Sequence, residues 1–71
     1  MAFTRRFEFV KGDSDKFWHV AVAGPNVVIT FGRNGTTGQT QKKEFSDEAA
    51  AVRHAEKVVG QKLAKGYVEV G

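Results

Sequence analysis

The sequence predicts an α+β domain: an antiparallel sheet of four to five strands with one C-terminal helix packed on one face. Three observations predict it. The first two thirds of the chain alternate apolar and polar residues, turn formers interrupt that stretch at short intervals, and beyond residue 46 the period becomes helical. At 71 residues the chain has room for one domain spanning 1–71 and not for two. A domain this small buries only about 60% of the surface its unfolded chain exposes, so its stability is expected to be thin.

The first strand is read from Phe7 and Phe9, with Phe3 as a further member, alternating with Arg6, Glu8 and Val10. Arg5 and Arg6 are expected to be a solvated strand start. Gly12-Asp13-Ser14-Asp15 is a cluster of turn formers; Asp13 and Asp15 lack the further acidic ligands a calcium loop needs. The second strand runs from about Lys16 to Ala23, with Trp18, Val20 and Val22 on one face and Phe17, His19 and Ala21 on the other. Trp18 shares its face with two valines and is expected in the core. Gly24-Pro25-Asn26 supplies a tight reversal. The third strand, Val27 to about Arg33, puts Val27, Ile29 and Phe31 on one face. Asn34-Gly35 then gives the strongest hairpin signal, because both residues take left-handed conformations readily. The fourth strand, roughly Gln39 to Phe45, is polar with two lysines and suits a sheet edge.

Ser46 is expected to cap the helix, and Asp47 and Glu48 complement its positive end. From Asp47 to Lys65 the residues Ala49, Val52, Ala55, Val59 and Leu63 form an apolar stripe, with Arg53, His54, Lys57 and Gln61 opposite. Gly60 interrupts the helix and suggests close approach to the sheet. Gly66 suits a left-handed cap after Lys65. Tyr67-Val68-Glu69-Val70 alternates again and fits a short final strand.

Composition narrows the function classes. Eleven basic and eight acidic side chains leave a net charge of +3, which permits a polyanionic partner without requiring one. Between Arg33 and Glu44 three positive charges meet one negative, so the excess gathers in one loop and its following strand. With no cysteine there is no disulfide or thiolate metal site, which fits a reducing compartment. Arg5, Arg6 and Glu8 argue against a signal peptide, and no run approaches the roughly 18 apolar residues of a spanning helix. A cytoplasmic protein without membrane contact is expected.

Catalytic chemistry is not legible. His19 and His54 fall in different elements without metal-ligand spacing, and His54 reads as a solvated surface residue. The glycines at 32, 35 and 38 match neither phosphate-loop spacing, and a strand follows where those loops need a helix. No enzyme activity and no cofactor are expected.

Phe31-Gly32-Arg33-Asn34 ends a strand and enters a turn. A ring there can stack on a base or sugar, the bare position at Gly32 admits a phosphate backbone, and arginine grips phosphate with a fork of donors. Lys42 and Lys43, across the hairpin, extend the positive surface. The residues alone favour, by a small margin, Phe31 in the core beside Val27 and Ile29, with Arg33 an ordinary strand-end charge.

Gly12, Ser14-Asp15-Lys16-Phe17-Trp18, and Phe31-Gly32-Arg33 with Gly35, Gly38 and Gln39 occur in an order that resembles the WGR domain. Lys43 or its neighbour, Phe45, the Ala49-Ala50 helix start and Lys65-Gly66-Tyr67 extend the resemblance from about Phe7 to Val70. It looks closest to the bacterial stand-alone and molybdate-regulator-like branch. The similar domain of DNA-dependent poly(ADP-ribose) polymerases binds DNA near strand breaks, through the motif's tryptophan and arginine. The resemblance therefore implies a nucleic-acid partner, DNA before RNA, with the contact roles carried to Phe31 and Arg33. Phenylalanine replaces the motif's tryptophan here, keeping a stacking face but losing the indole donor. The alternative expectation is a protein-interaction module that regulates a partner protein, meeting it through Phe31 and the polar fourth strand.

Overall fold

The structure is a computed structural model that describes residues 3–71; the first two residues of the expected 1–71 span lie outside the described residues. Its elements are β1 (Phe3–Lys11), β2 (Ser14–Ala23), β3 (Asn26–Arg33), β4 (Gln39–Glu44), α1 (Glu48–Ala64) and β5 (Val68–Val70). The strands form one antiparallel sheet in the order β4-β3-β2-β1-β5. The α+β arrangement with a C-terminal helix on one face is as the sequence predicts.

Chain turns set the register. Gly24 takes φ +58° at the first position of the two-residue loop before Asn26, where a type II′ hairpin turn needs a glycine. Closing the loop there fixes every pair along β2 and β3, so Trp18 lies opposite Phe31 and Lys16 opposite Arg33. The β1–β2 hairpin sets Phe7 opposite Trp18 and Phe9 opposite Lys16. Two adjacent rows result on the helix side of the sheet: Phe7, Trp18 and Phe31, then Phe9, Lys16 and Arg33.

The third hairpin falls on 34–38, the segment whose turn formers separate the two expected strands, but Asn34 itself does not take a left-handed conformation. Asn34 keeps a negative φ, and the connection from 34 to 38 is a five-residue loop. The cause is Asp15: Asn34 donates its backbone N–H to the Asp15 carbonyl (2.9 Å) and its side-chain amide to the Asp15 carboxylate (2.7 Å). Gly35 supplies the positive φ, and the Thr36 N–H closes the turn on the Arg33 carbonyl. The loop then folds onto the helix-free face of the sheet, where Gly38 covers Phe17, leaving that ring 8% exposed.

The core lies between α1 and the other face. Phe7, Trp18, Val20, Val22 and Val27 from the sheet meet Ala51, Ala55 and Val59 from the helix. Here the helical stripe departs from expectation: Ala51 rather than Ala49 is buried, and Leu63 stays 48% exposed. A stripe running 51, 55 and 59 continues to position 62, so Lys62 faces the sheet and Leu63 turns away. The N-cap is Asp47, not Ser46, because the Asp47 carboxylate accepts the Ala50 N–H at 2.8 Å. Gly60 is exposed, and a Cβ there would meet nothing within 4 Å, so it serves no close approach. Arg5 is not simply solvated; its guanidinium forks onto the Glu69 carboxylate at 2.6 and 2.8 Å and ties β1 to β5.

Candidate nucleic-acid interface

Phe31 and Arg33 alternate onto the helix side of β3, yet α1 stops short of covering both. The Phe31 ring is half-buried, its inner edge against the core and its outer edge lining an open recess. Arg33 is exposed and, among the described residues, forms no ion pair. The same recess is lined by Lys16, Trp18, Lys62 and Tyr67 and has a volume of about 300 Å³. Three cations thus arrive from three elements: Lys16 from β2, by cross-strand pairing with Arg33, and Lys62 from the last turn of α1.

The helix end builds its side of the recess. Past Ala64 the Gly66 N–H bonds to the Leu63 carbonyl and the Tyr67 N–H to the Lys62 carbonyl, each at 3.1 Å. These are the paired bonds of a Schellman motif, with Gly66 at φ +103°. The motif reverses the chain so that Tyr67 packs against Phe9, ring centroids 5.2 Å apart. The Lys62 ammonium then lies 5.1 Å from the Tyr67 ring centre and 5.5 Å from that of Trp18. Two aromatic faces hold the ammonium in place, and the negative end of the helix dipole favours it there.

Partial burial first, then the Lys65 and Lys16 ammoniums, push the Lys62 pKa below the ordinary lysine value. A cation held where burial and like charge both disfavour it gains from any anion placed beside it. Asp13 and Asp15 also line the recess, and the Asp15 carboxylate accepts the Asn34 side-chain amide.

The remaining sequence-predicted residues sit differently. Gly32 points to the opposite face, where a Cβ would come 2.8 Å from the Gly38 Cα; its bare position is filled by the loop. Asn34 holds Asp15 and so anchors that loop. Lys42 and Lys43 pair with Val28 and Val27 at the far end of β3. Six residues of strand, about 20 Å, separate Arg33 from the position opposite Lys43. Lys43 shares the helix side with Phe31, its ammonium 5.4 Å from the Phe45 ring centre, while Lys42 projects to the other side. His54, expected in solvent, is half-buried and stacked on Phe45 with centroids 4.8 Å apart. Burial first, then Lys43 and Lys57, lower its pKa from the ordinary histidine value.

Sequence reasoning missed Lys16, Lys62 and Tyr67. The first was available from the Gly24-Pro25 turn, since its register dictates the partner of Arg33. The other two depend on how the helix end folds back. Among the described residues no group of three or more His, Asp or Glu gathers to hold a metal, and no helix is long and apolar enough to cross a membrane.

Comparison with known proteins places this geometry in a family. The WGR domain, a non-catalytic module known for binding nucleic acid, matches residues 3–71. Over 65 residues, 92% of the chain, the sequence is 43% identical to protein YehF and 34% identical to the uncharacterized protein YfeS, both of Escherichia coli K12. Those stretches make up 24% and 27% of the two proteins, so the chain spans about a quarter of their length. A crystal structure of a Bacteroides fragilis protein is similar over 97% of this chain and 20% of that one, with a TM-score of 0.94 and 42% identity. Matched along all its described residues, the chain belongs to the WGR domain family.

Proposed function

We propose that this domain is a non-catalytic module that binds duplex DNA or DNA ends, without regard to sequence. Arg33, Lys16 and Lys62 contact phosphates, and the exposed part of the Phe31 ring packs against a terminal base or a sugar. Lys42 and Lys43 meet the same polyanion farther along β4. The observation that carries this reading is the convergence of three cations from three elements around one half-exposed ring. Phosphate recognition uses cations gathered around an exposed ring directly. The setting for such a partner is the cytoplasm.

Binding through phosphates releases counterions, so log K falls linearly with log salt, by about 0.9 for each phosphate neutralised in duplex DNA. Fluorescence titration of a 5′-phosphorylated duplex at several salt concentrations is expected to give a slope of about −3 for three contacts. Undetectable binding, or affinity indifferent to salt, contradicts the proposal.

A second reading is favoured by β4, whose six residues are all exposed along one edge of the sheet. An exposed edge accepts an added strand, as in protein-interaction modules. A protein partner that stays bound in stoichiometric amount after nuclease treatment supports this reading over the first.

A further inference from the structure

The recess at Arg33 does not end at Phe31. Phe31 and Lys62 also line a second recess with Ile29, Gln41, Gln61 and Lys65. Ile29 and Gln41 continue into a third, which Val27, Lys43 and His54 close. The three recesses share lining residues in sequence, Phe31 and Lys62 between the first two and Ile29 and Gln41 between the last two, along the side of α1 that faces β4 from Arg33 to Lys43.

The groove they trace follows from where the helix sits. The small residues Ala51, Ala55 and Val59 seat α1 over β2 and β3, and β4 is left uncovered. The floor is therefore the part of β3's helix side that α1 leaves open, with Ile29 and Phe31 half-buried at alternate positions, while Val27 lies beneath the helix in the core. One wall is β4, through Gln41 and Lys43; the other is α1, through Gln61, Lys65 and His54. Neither the second nor the third recess has a carboxylate among its lining residues. An apolar floor between polar, cationic walls is complementary to a chain with flat bases on one side and phosphates along its edge.

Dimensions select the occupant. Adjacent strands lie about 4.8 Å apart, so a floor one to two strands wide admits one nucleic-acid strand and excludes a duplex. From Arg33 to Ile29 the floor is about 13 Å long. That length holds about four nucleotides at the 3.4 Å rise of a stacked strand, and fewer when the strand is stretched.

We propose that the groove between α1 and β4 takes a single-stranded segment, so that a duplex docked at Arg33 passes its protruding strand over Phe31 and Ile29 toward Lys43. This rests on the nucleic-acid reading above and adds the kind of DNA end preferred. The groove also joins Lys43 to Arg33 through a ligand rather than through direct proximity.

The test compares a blunt 5′-phosphorylated duplex with the same duplex carrying a four-nucleotide thymidine overhang, by fluorescence anisotropy with the full chain at constant salt. The overhang is expected to tighten binding about tenfold, the gain one stacked base gives. Gln41→Glu puts a carboxylate in the groove at an exposed position, and it is expected to remove the gain of the overhang over the blunt duplex, both measured with the variant itself. Equal affinity for both duplexes, or an overhang gain that survives Gln41→Glu, overturns the groove and leaves duplex binding standing. Failure to bind either duplex overturns both.

Discussion

An alanine at position 38 would bring its Cβ 2.5 Å from the Phe31 carbonyl oxygen and 2.6 Å from the Phe17 ring, at a φ of +73°. The glycine that ends the hairpin loop is thus fixed by two crowded neighbours as well as by its backbone. Gly38→Ala is expected to destabilise the domain by at least about 2 kcal/mol, read as a lower urea midpoint. It should also loosen the loop from Phe17, visible as faster exchange of the Asn34 amide proton. At this scale the sequence was informative where one residue type has few uses. Phe31-Gly32-Arg33 stood out, and Trp18 was placed in the core, where it is 4% exposed. Individual roles were less legible. Gly32 looked like an opening for phosphate because the loop that fills it comes from six residues downstream. Lys62 looked ordinary because sequence does not reveal which lysine of a helix end lies over two rings.

Among the elements, α1 keeps the middle of its expected stripe, with Ala55 and Val59 in the core and Val52 against it, but misses at both ends, Ala49 and Leu63. Leucine's hydrophobicity argued for position 63 inside, but the spacing of the small residues decides the phase, and Lys62 covers Trp18 with its aliphatic stem. The helix start was ambiguous for a similar reason, since Ser46 and Asp47 are both good caps. The Asp47 bond to the Ala50 N–H settles it, and Asp47→Ala is expected to cost about 1 kcal/mol, against little change for Ser46→Ala. Thermal melts followed by circular dichroism compare the two variants directly. The strands were easier, because each is bounded by a turn whose chemistry also sets its register. The β3–β4 connection is bounded as its turn formers imply, and only the conformation of Asn34 was not legible, because it bonds to Asp15 across 19 residues of chain.

For the molecule as a whole, four strands in a meander follow from consecutive hairpins, and the helix can cover only one face. Which edge β5 joins was not legible; it is set by the Schellman turn that leads the chain past Phe9 and by the Arg5–Glu69 ion pair. The same fold explains the distribution of charge. Seating α1 on β2 and β3 leaves one end of the helix side open, and there the row Phe9, Lys16, Arg33 meets the last turn of α1. The central claim is that this convergence grips phosphate. Duplex affinity measured against salt for the wild type and for Arg33→Ala tests it most directly. The account predicts a folded variant that binds more weakly to every duplex, with a salt slope shallower by about 1. An Arg33→Ala protein that keeps the wild-type affinity and slope would contradict it.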